Sequence, residues 1–173
     1  MICLTYPMYD IDLHIIHYKE PQWMLDRCLA SLEGQPVNIH IIKGIAEWPL
    51  LVGRIEGFLA GDAPFVSCVD PDDTVKPGAF EKMLSFADNY DLIYGKEEKV
   101  TNGVVERIDR GVHHAYLARR CMFSMTNLYR HILTHIDAGK RKLRIKYIDE
   151  VFYAWNANEG HKFNKPILPV GRK

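Results

Sequence analysis

The chain has 173 residues, 22 of them basic and 22 acidic, so its formal net charge is zero; 47% of the residues are hydrophobic and 25% charged. That composition excludes a disordered chain, a polyacidic tail and a uniformly basic nucleic-acid binder. The length suits one domain, since single cores run to about 100–200 residues and bury about 70% of the unfolded surface.

Ile11–Tyr18 (IDLHIIHY) is short, β-branched and aromatic, and reads as a first strand. Pro21 suits the first turn of a helix over about Gln22–Glu33, with Leu25, Cys28, Leu29 and Leu32 on one face and Gly34-Gln35-Pro36 as its stop. Val37–Ile42 is a second strand. A second helix starts near Trp48-Pro49, presents Leu51, Ile55, Phe58 and Leu59 on one face, and ends at Gly61. Phe65–Val69 (FVSCV) is a third strand, apolar enough to be covered on both faces. Pro77-Gly78 opens a third helix that buries Phe80, Met83, Leu84 and Ala87, and Asp91–Gly95 is a fourth short strand. Beyond it, Val104–His113 is a strand pair or a loop, Thr126–Ile136 a helix, and Ile145–Trp155 one or two strands. The βαβαβαβ order predicts an α/β fold of three layers around a mostly parallel sheet with right-handed crossovers.

The four cysteines show no C-x-x-C spacing, no apolar run approaches the ~18 residues of a membrane span, and Met1–Asp10 lacks a signal-peptide pattern. These features predict a reduced, cytoplasmic protein with no membrane span.

Asp70, Asp72 and Asp73 follow the third strand, where open α/β sheets bind ligands. Carboxylates on one turn suit a hard cation such as Mg²⁺ or Mn²⁺ that also carries substrate phosphates; they also suit helix capping or plain solvation. A calcium hand is excluded, because Val75 fills the sixth position, which needs Gly.

Three ordered segments resemble the family 2-type glycosyltransferases of the GT-A fold. Ile15–Glu20, with Leu25, Cys28-Leu29, Ser31-Leu32 and Gln35, is similar to the family's first strand, turn and helix. Gly53-Arg54-Ile55-Glu56-Gly57 with Ala60-Gly61-Asp62 resembles its second helix, and Val69–Asp73 with Pro77-Gly78-Ala79 its D-x-D-D…P-G-A motif. The resemblance implies a metal-dependent transferase of the nucleotide-diphospho-sugar superfamily. Residues 1–173 would form one domain, about 11–95 holding donor and metal and about 96–173 facing the acceptor. It implies Mn²⁺ or Mg²⁺ on Asp70 and Asp72, with Asp73 near the metal or donor sugar and His161 as a C-terminal metal ligand. His17, Tyr18 and Glu20 would line the nucleoside site and Arg54 the phosphates. Lys43 stands where the family carries an Asp that contacts the nucleoside, with Glu47 nearby as an alternative acid. Asn127 occupies the place of the catalytic Asp of inverting members, and an amide cannot take a proton. Either another acid such as Asp109 is the base, or the enzyme retains configuration, or the chain is a non-catalytic nucleotide-sugar-binding module. A nucleotidyltransferase shares the metal logic, but no glycine-rich phosphate loop follows the first strand.

Other features are weaker. His131 and His135 are surface or packing histidines, since no third metal ligand accompanies them, and His113-His114 lies toward the acceptor side. Lys140–Lys146 holds five cations in seven residues. It is a solvated face or, if turned to the cleft, a site for an anionic acceptor, DNA included, as in small viral enzymes that glycosylate DNA bases in the host cytoplasm. A saccharide acceptor is equally compatible. The chain is short for this family, so the resemblance also implies an acceptor side completed by a partner or a homo-oligomer.

Overall fold

A computed structural model describes residues 10–44, 49–110, 114–122 and 143–157, without the side chains of 49–51, 109 and 110. The described elements are β1 (Ile11–His17), α1 (Gln22–Ser31), β2 (Val37–Lys43), α2 (Pro49–Leu59), β3 (Phe65–Val69), β4 (Thr74–Val75), α3 (Ala79–Leu84), β5 (Leu92–Thr101), β6 (Val104–Arg110), β7 (Leu117–Arg119) and β8 (Ile145–Asn156).

The strands run β2-β1-β3-β7-β5-β8-β4 in one sheet, with β6 beside β5. β1 pairs parallel with β2 and β3, and β5 parallel with β8. β7 is antiparallel to β3 and β5, β6 to β5, and β4 to β8. The architecture is therefore mixed α/β, and the expectation of a mostly parallel sheet is corrected. Helical crossovers make β1, β2 and β3 parallel, but β5 and β6 are joined by a tight Asn102-Gly103 turn with φ of 50° and 77°. A two-residue turn permits only an antiparallel pair. The three-residue β7 enters between β3 and β5 from the opposite direction.

Side chains of β3 alternate between two cores. Phe65 and Val69 pack with Leu25 and Cys28 of α1, with Leu32 just past its end, and with Phe80 and Met83 of α3. Val66 and Cys68 pack with Phe58 of α2 and with Tyr116 and Ala118. A strand buried on both sides has no polar face, which accounts for FVSCV. Leu59, expected on the buried face of α2, is 55% exposed. The contact face is instead made by two glycines one turn apart. A Cβ on Gly53 would stand 2.9 Å from the Ile16 side chain, and one on Gly57 would stand 2.3 Å from the His14 ring. Their absence lets α2 press against β1.

Because β1, β3 and β5 run the same way, the sheet has two chemically different ends. At the end where these strands begin, buried Asp12 accepts from His40 Nε2 at 2.7 Å, Asn38 Nδ2 at 2.9 Å, the Ala63 amide at 2.8 Å and the Arg120 guanidinium. Arg120 also donates to the carbonyls of Phe58 and Ala63, each at 2.7 Å, and of Ala60 at 3.1 Å, closing the C-terminal end of α2. At the same end Asp91 accepts from Arg144 Nη2 at 2.8 Å and from the Arg144 amide at 3.0 Å. These bonds hold the Asp91 carboxyl down at about 2. A depressed carboxyl stabilises the fold above its unfolded value of about 3.9, and that contribution vanishes as pH falls through about 2. Arg144 is 54% exposed, so solvent screening leaves a modest effect. Asp91→Asn is expected to cost about 1 kcal/mol at pH 7 and nothing well below pH 2. Urea midpoints of both proteins across that range check it; a pH-independent gap would show that packing, not charge, carries the pair.

Candidate functional site

The opposite end carries the loop expected from the sequence. Asp70 follows β3, Asp72 and Asp73 complete a turn, and β4 pairs with the far end of β8. Supports from distant elements fix this loop. Ser31 Oγ donates to the Cys28 carbonyl at 2.6 Å and accepts the Val75 amide at 3.1 Å. Gln35 Oε1 accepts the Phe80 amide at 3.1 Å, and its Nε2 donates to the Ser31 carbonyl at 3.0 Å. The Ser31 and Gln35 positions of the resemblance are thus joints between α1 and the acidic turn. Arg27 and Asn156 Nδ2 both donate to the Asp72 carbonyl, the latter at 2.9 Å.

The aspartates have unlike surroundings. Asp70 is part-exposed; Arg54 Nη2 donates to its Oδ1 at 2.6 Å, and His114 Nε2 stands 3.0 Å from its Oδ2. Burial alone would raise its carboxyl, yet the charges and hydrogen bonds of His114 and Arg54 hold it well below the ordinary carboxylate range. Asp73 is buried; its Oδ2 accepts from the Tyr153 hydroxyl and its Oδ1 from the Asn156 amide at 2.8 Å. Burial, with Asp72 and Asp70 adding repulsion, pushes Asp73 up to about 8. One carboxyl stays charged while a neighbour holds a proton, and an arriving cation would displace that proton. Burial also disfavours the imidazolium of His114, but Asp70 outweighs it and the histidine is shifted upward. The His114 ring stacks on Tyr153, with centroids 5.1 Å apart and an interplanar angle of 24°.

Ligand atoms of Asp70, Asp73 and His114 all lie within 4.8 Å of one another. Two carboxylate oxygens and one imidazole nitrogen fit Mn²⁺ or Mg²⁺, and each carboxylate keeps lone pairs beyond those already engaged. Asp72 shares the turn but is not in this group, and His161, like Asn127, His131, His135 and Glu47, lies outside the described residues. Asp109 is on β6, opposite Glu97.

The other expected donor residues stand at the same end of the sheet. His17 closes β1 and is in register with Lys43, the last residue of β2. Glu20 folds the turn after β1: its Oε2 accepts the amides of Tyr18 at 2.9 Å and Lys19 at 3.1 Å, and its carbonyl faces His17 Nε2 at 2.8 Å. Lys43 is exposed, and Tyr18 is half-buried. By contrast Arg144 and Lys146, the described cations of the basic run, sit at the start of β5, Lys146 in register with Ile93. There Arg144 holds Asp91, and Lys146 lies 4.8 Å from the Phe86 ring. Tyr153 belongs to the core and is also a clamp on Asp73. Phe152, Tyr153 and Ala154 are buried in succession, so no alternation along β8 marks Tyr153, and nothing local says which acid its hydroxyl meets.

No family model and no curated protein matches this sequence. Solved structures do match in fold. S. aureus TarS residues 1–349 align over 84% of this chain and 60% of their own length, with a TM-score of 0.61 at 12% identity. TarS 1–349 in complex with UDP-GlcNAc aligns over 87% and 59%, with a TM-score of 0.59 at 12% identity. The complex with UDP aligns over 84% and 60%, with a TM-score of 0.58 at 11% identity. The chain thus shares the fold of TarS and spans about 60% of the first of these structures.

Proposed function

We propose that this chain transfers a sugar from a nucleoside-diphosphate donor to an acceptor hydroxyl, as a three-layer GT-A domain of family 2 type. The reading is carried by the Asp70–Asp73–His114 cluster standing where β3 ends, on a fold shared with a protein solved with UDP-GlcNAc. UDP-sugars are therefore the first donors to test. Residues of about 11–95 carry the donor side and about 96–173 the acceptor side, with His114, Tyr153 and Asn156 reaching back to hold the acidic turn. The His17–Glu20 turn and Lys43 receive the nucleoside, and Arg54 contributes fixed positive charge beside the phosphates.

Transfer breaks the bond between the sugar and the diphosphate, and negative charge grows on the leaving oxygens. A divalent cation at the cluster would supply Lewis-acid stabilisation of that charge. Asp70 stays ionised to receive it, Asp73 would release its proton to solvent as the cation takes its place, and Asp72 adds charge at the turn. Arg54 keeps the buried side of Asp70 fixed, so little reorganisation accompanies the reaction. The acceptor of this reading is a saccharide hydroxyl. An anionic acceptor draws no support from Arg144 and Lys146, which lie at the other end of the sheet. A second reading, a binding module without turnover, is favoured by Asn127 and by the internal partners already on both oxygens of Asp70 and Asp73.

Incubation with Mn²⁺ and UDP-GlcNAc, UDP-glucose or UDP-galactose, with UDP release as readout, decides between them. Release that depends on metal and falls at least about 100-fold in Asp72→Asn supports transfer. UDP binding without release on any saccharide supports the module, and absence of both removes the nucleotide-sugar reading.

A further inference from the structure

Arg54 is only 8% exposed, and a long cation in so dry a place needs more than one anchor to be held in one orientation. Its Nη2 is bound to Asp70. Its Nη1 lies 3.4 Å from Nε2 of His14, a residue in the middle of β1 that is 0% exposed. A guanidinium can only donate, so Nε2 must offer its lone pair and the ring must be neutral, with its proton on Nδ1. Burial and the adjacent Arg54 charge push the imidazole in that same direction, well below its ordinary value. The consequence is a defect: Nδ1 is buried and has no hydrogen-bond partner among the described residues. A buried orphan donor is a penalty to the fold, and an apolar side chain of similar size avoids it.

The surroundings are nonetheless built around this ring. Gly57 of α2 leaves the space that a Cβ would take from it, and Phe58 meets it edge-on at 4.7 Å and 69°. We propose that His14 is a positioning residue of the transfer site: its Nε2 fixes the Arg54 guanidinium so that one N–H is locked on Asp70 Oδ1 and Asp70 Oδ2 is left for His114 and the cleft. This rests on reading the acidic turn as the donor site. The fold itself does not need the imidazole, whereas the orientation of Arg54 does.

The test compares His14→Leu with His14→Gln, whose amide oxygen can stand near the place of Nε2. Three quantities are read on each purified protein: Tm, the slowly exchanging Arg54 guanidinium signal in ¹⁵N-arginine NMR, and kcat and KM for UDP release from UDP-GlcNAc. The leucine variant is expected to keep or raise Tm, lose the Arg54 signal, and lose about 10- to 100-fold in kcat. The glutamine variant is expected to recover the signal and most of kcat. A leucine variant that fails to fold, or that keeps both the Arg54 signal and kcat, overturns the proposal, as does a glutamine variant that recovers neither. If the wild-type protein releases no UDP from any donor, the transfer reading fails instead. The NMR and Tm measurements then still decide whether His14 orients Arg54 at no cost to stability.

Discussion

Asp70→Asn is expected to abolish metal-dependent UDP release, by at least about 10²- to 10³-fold, and to weaken Mn²⁺ binding. Asp70 is held firmly in its charged form, with Arg54 and His114 on its two oxygens. An asparagine keeps the shape and one acceptor but removes the charge that a cation and both neighbours require. The same change strands Arg54, so stability is expected to fall by about 3–5 kcal/mol, the usual result of breaking a buried ion pair from one side. Pairing the substitution with Arg54→Met separates the two effects. The double variant should regain most of the lost stability, because a neutral pair replaces a stranded cation, and should remain inactive. Metal-dependent release within a few-fold of wild type in the double variant would falsify the assignment of Asp70 to the site.

The largest effect on stability belongs to the other end of the sheet. Arg120→Ala is expected to cost about 3–5 kcal/mol and to lower Tm by about 10 °C or more. Asp12 is 2% exposed, and its pKa shift has opposing causes. Burial raises it, while the hydrogen bonds of His40, Ala63 and Asn38 prevail and keep it low. Arg120 is its guanidinium partner and also satisfies the carbonyls of Phe58, Ala60 and Ala63. The alanine variant loses all of these at once and leaves a charge in the interior. Thermal unfolding measures the loss, and a shift under about 2 °C would mean that water can serve Asp12 and the helix end equally well. Arg120→Lys should recover little, since a single ammonium cannot span the same set of acceptors.

The two ends were unequally legible in the sequence. α1 and α2 run ten and eleven residues, and β1, β2 and β3 are short β-branched or apolar runs; both kinds of signal are local properties. β4 and β7 have two and three residues, too few for any period to register. β5 was read only to Gly95, yet it continues to Thr101 through Lys96-Glu97-Glu98-Lys99, a polar stretch whose strand character comes from β6 and β8 on its two edges. Apart from the β5–β6 hairpin, the antiparallel pairs that make the sheet mixed are contacts between segments far apart in the chain, which periodicity does not encode. The acidic turn was found because its residue types and its place after an apolar strand are local signals. Its clamps were not: Tyr153 resembles any core aromatic, and His114 any loop histidine. His14 is similar, since only the register of α2 on β1 brings Arg54 to it.

Tyr153 and Asn156 reach Asp73, and Asn156 also reaches the Asp72 carbonyl, from 80 to 84 positions further along the chain. During synthesis the aspartates leave the ribosome long before those partners exist. The turn is then a flexible acidic segment on an unfinished sheet. Docking of β8 supplies the hydrogen bonds that fix the turn, so under the proposed function competence to bind would arrive only with the last described strand.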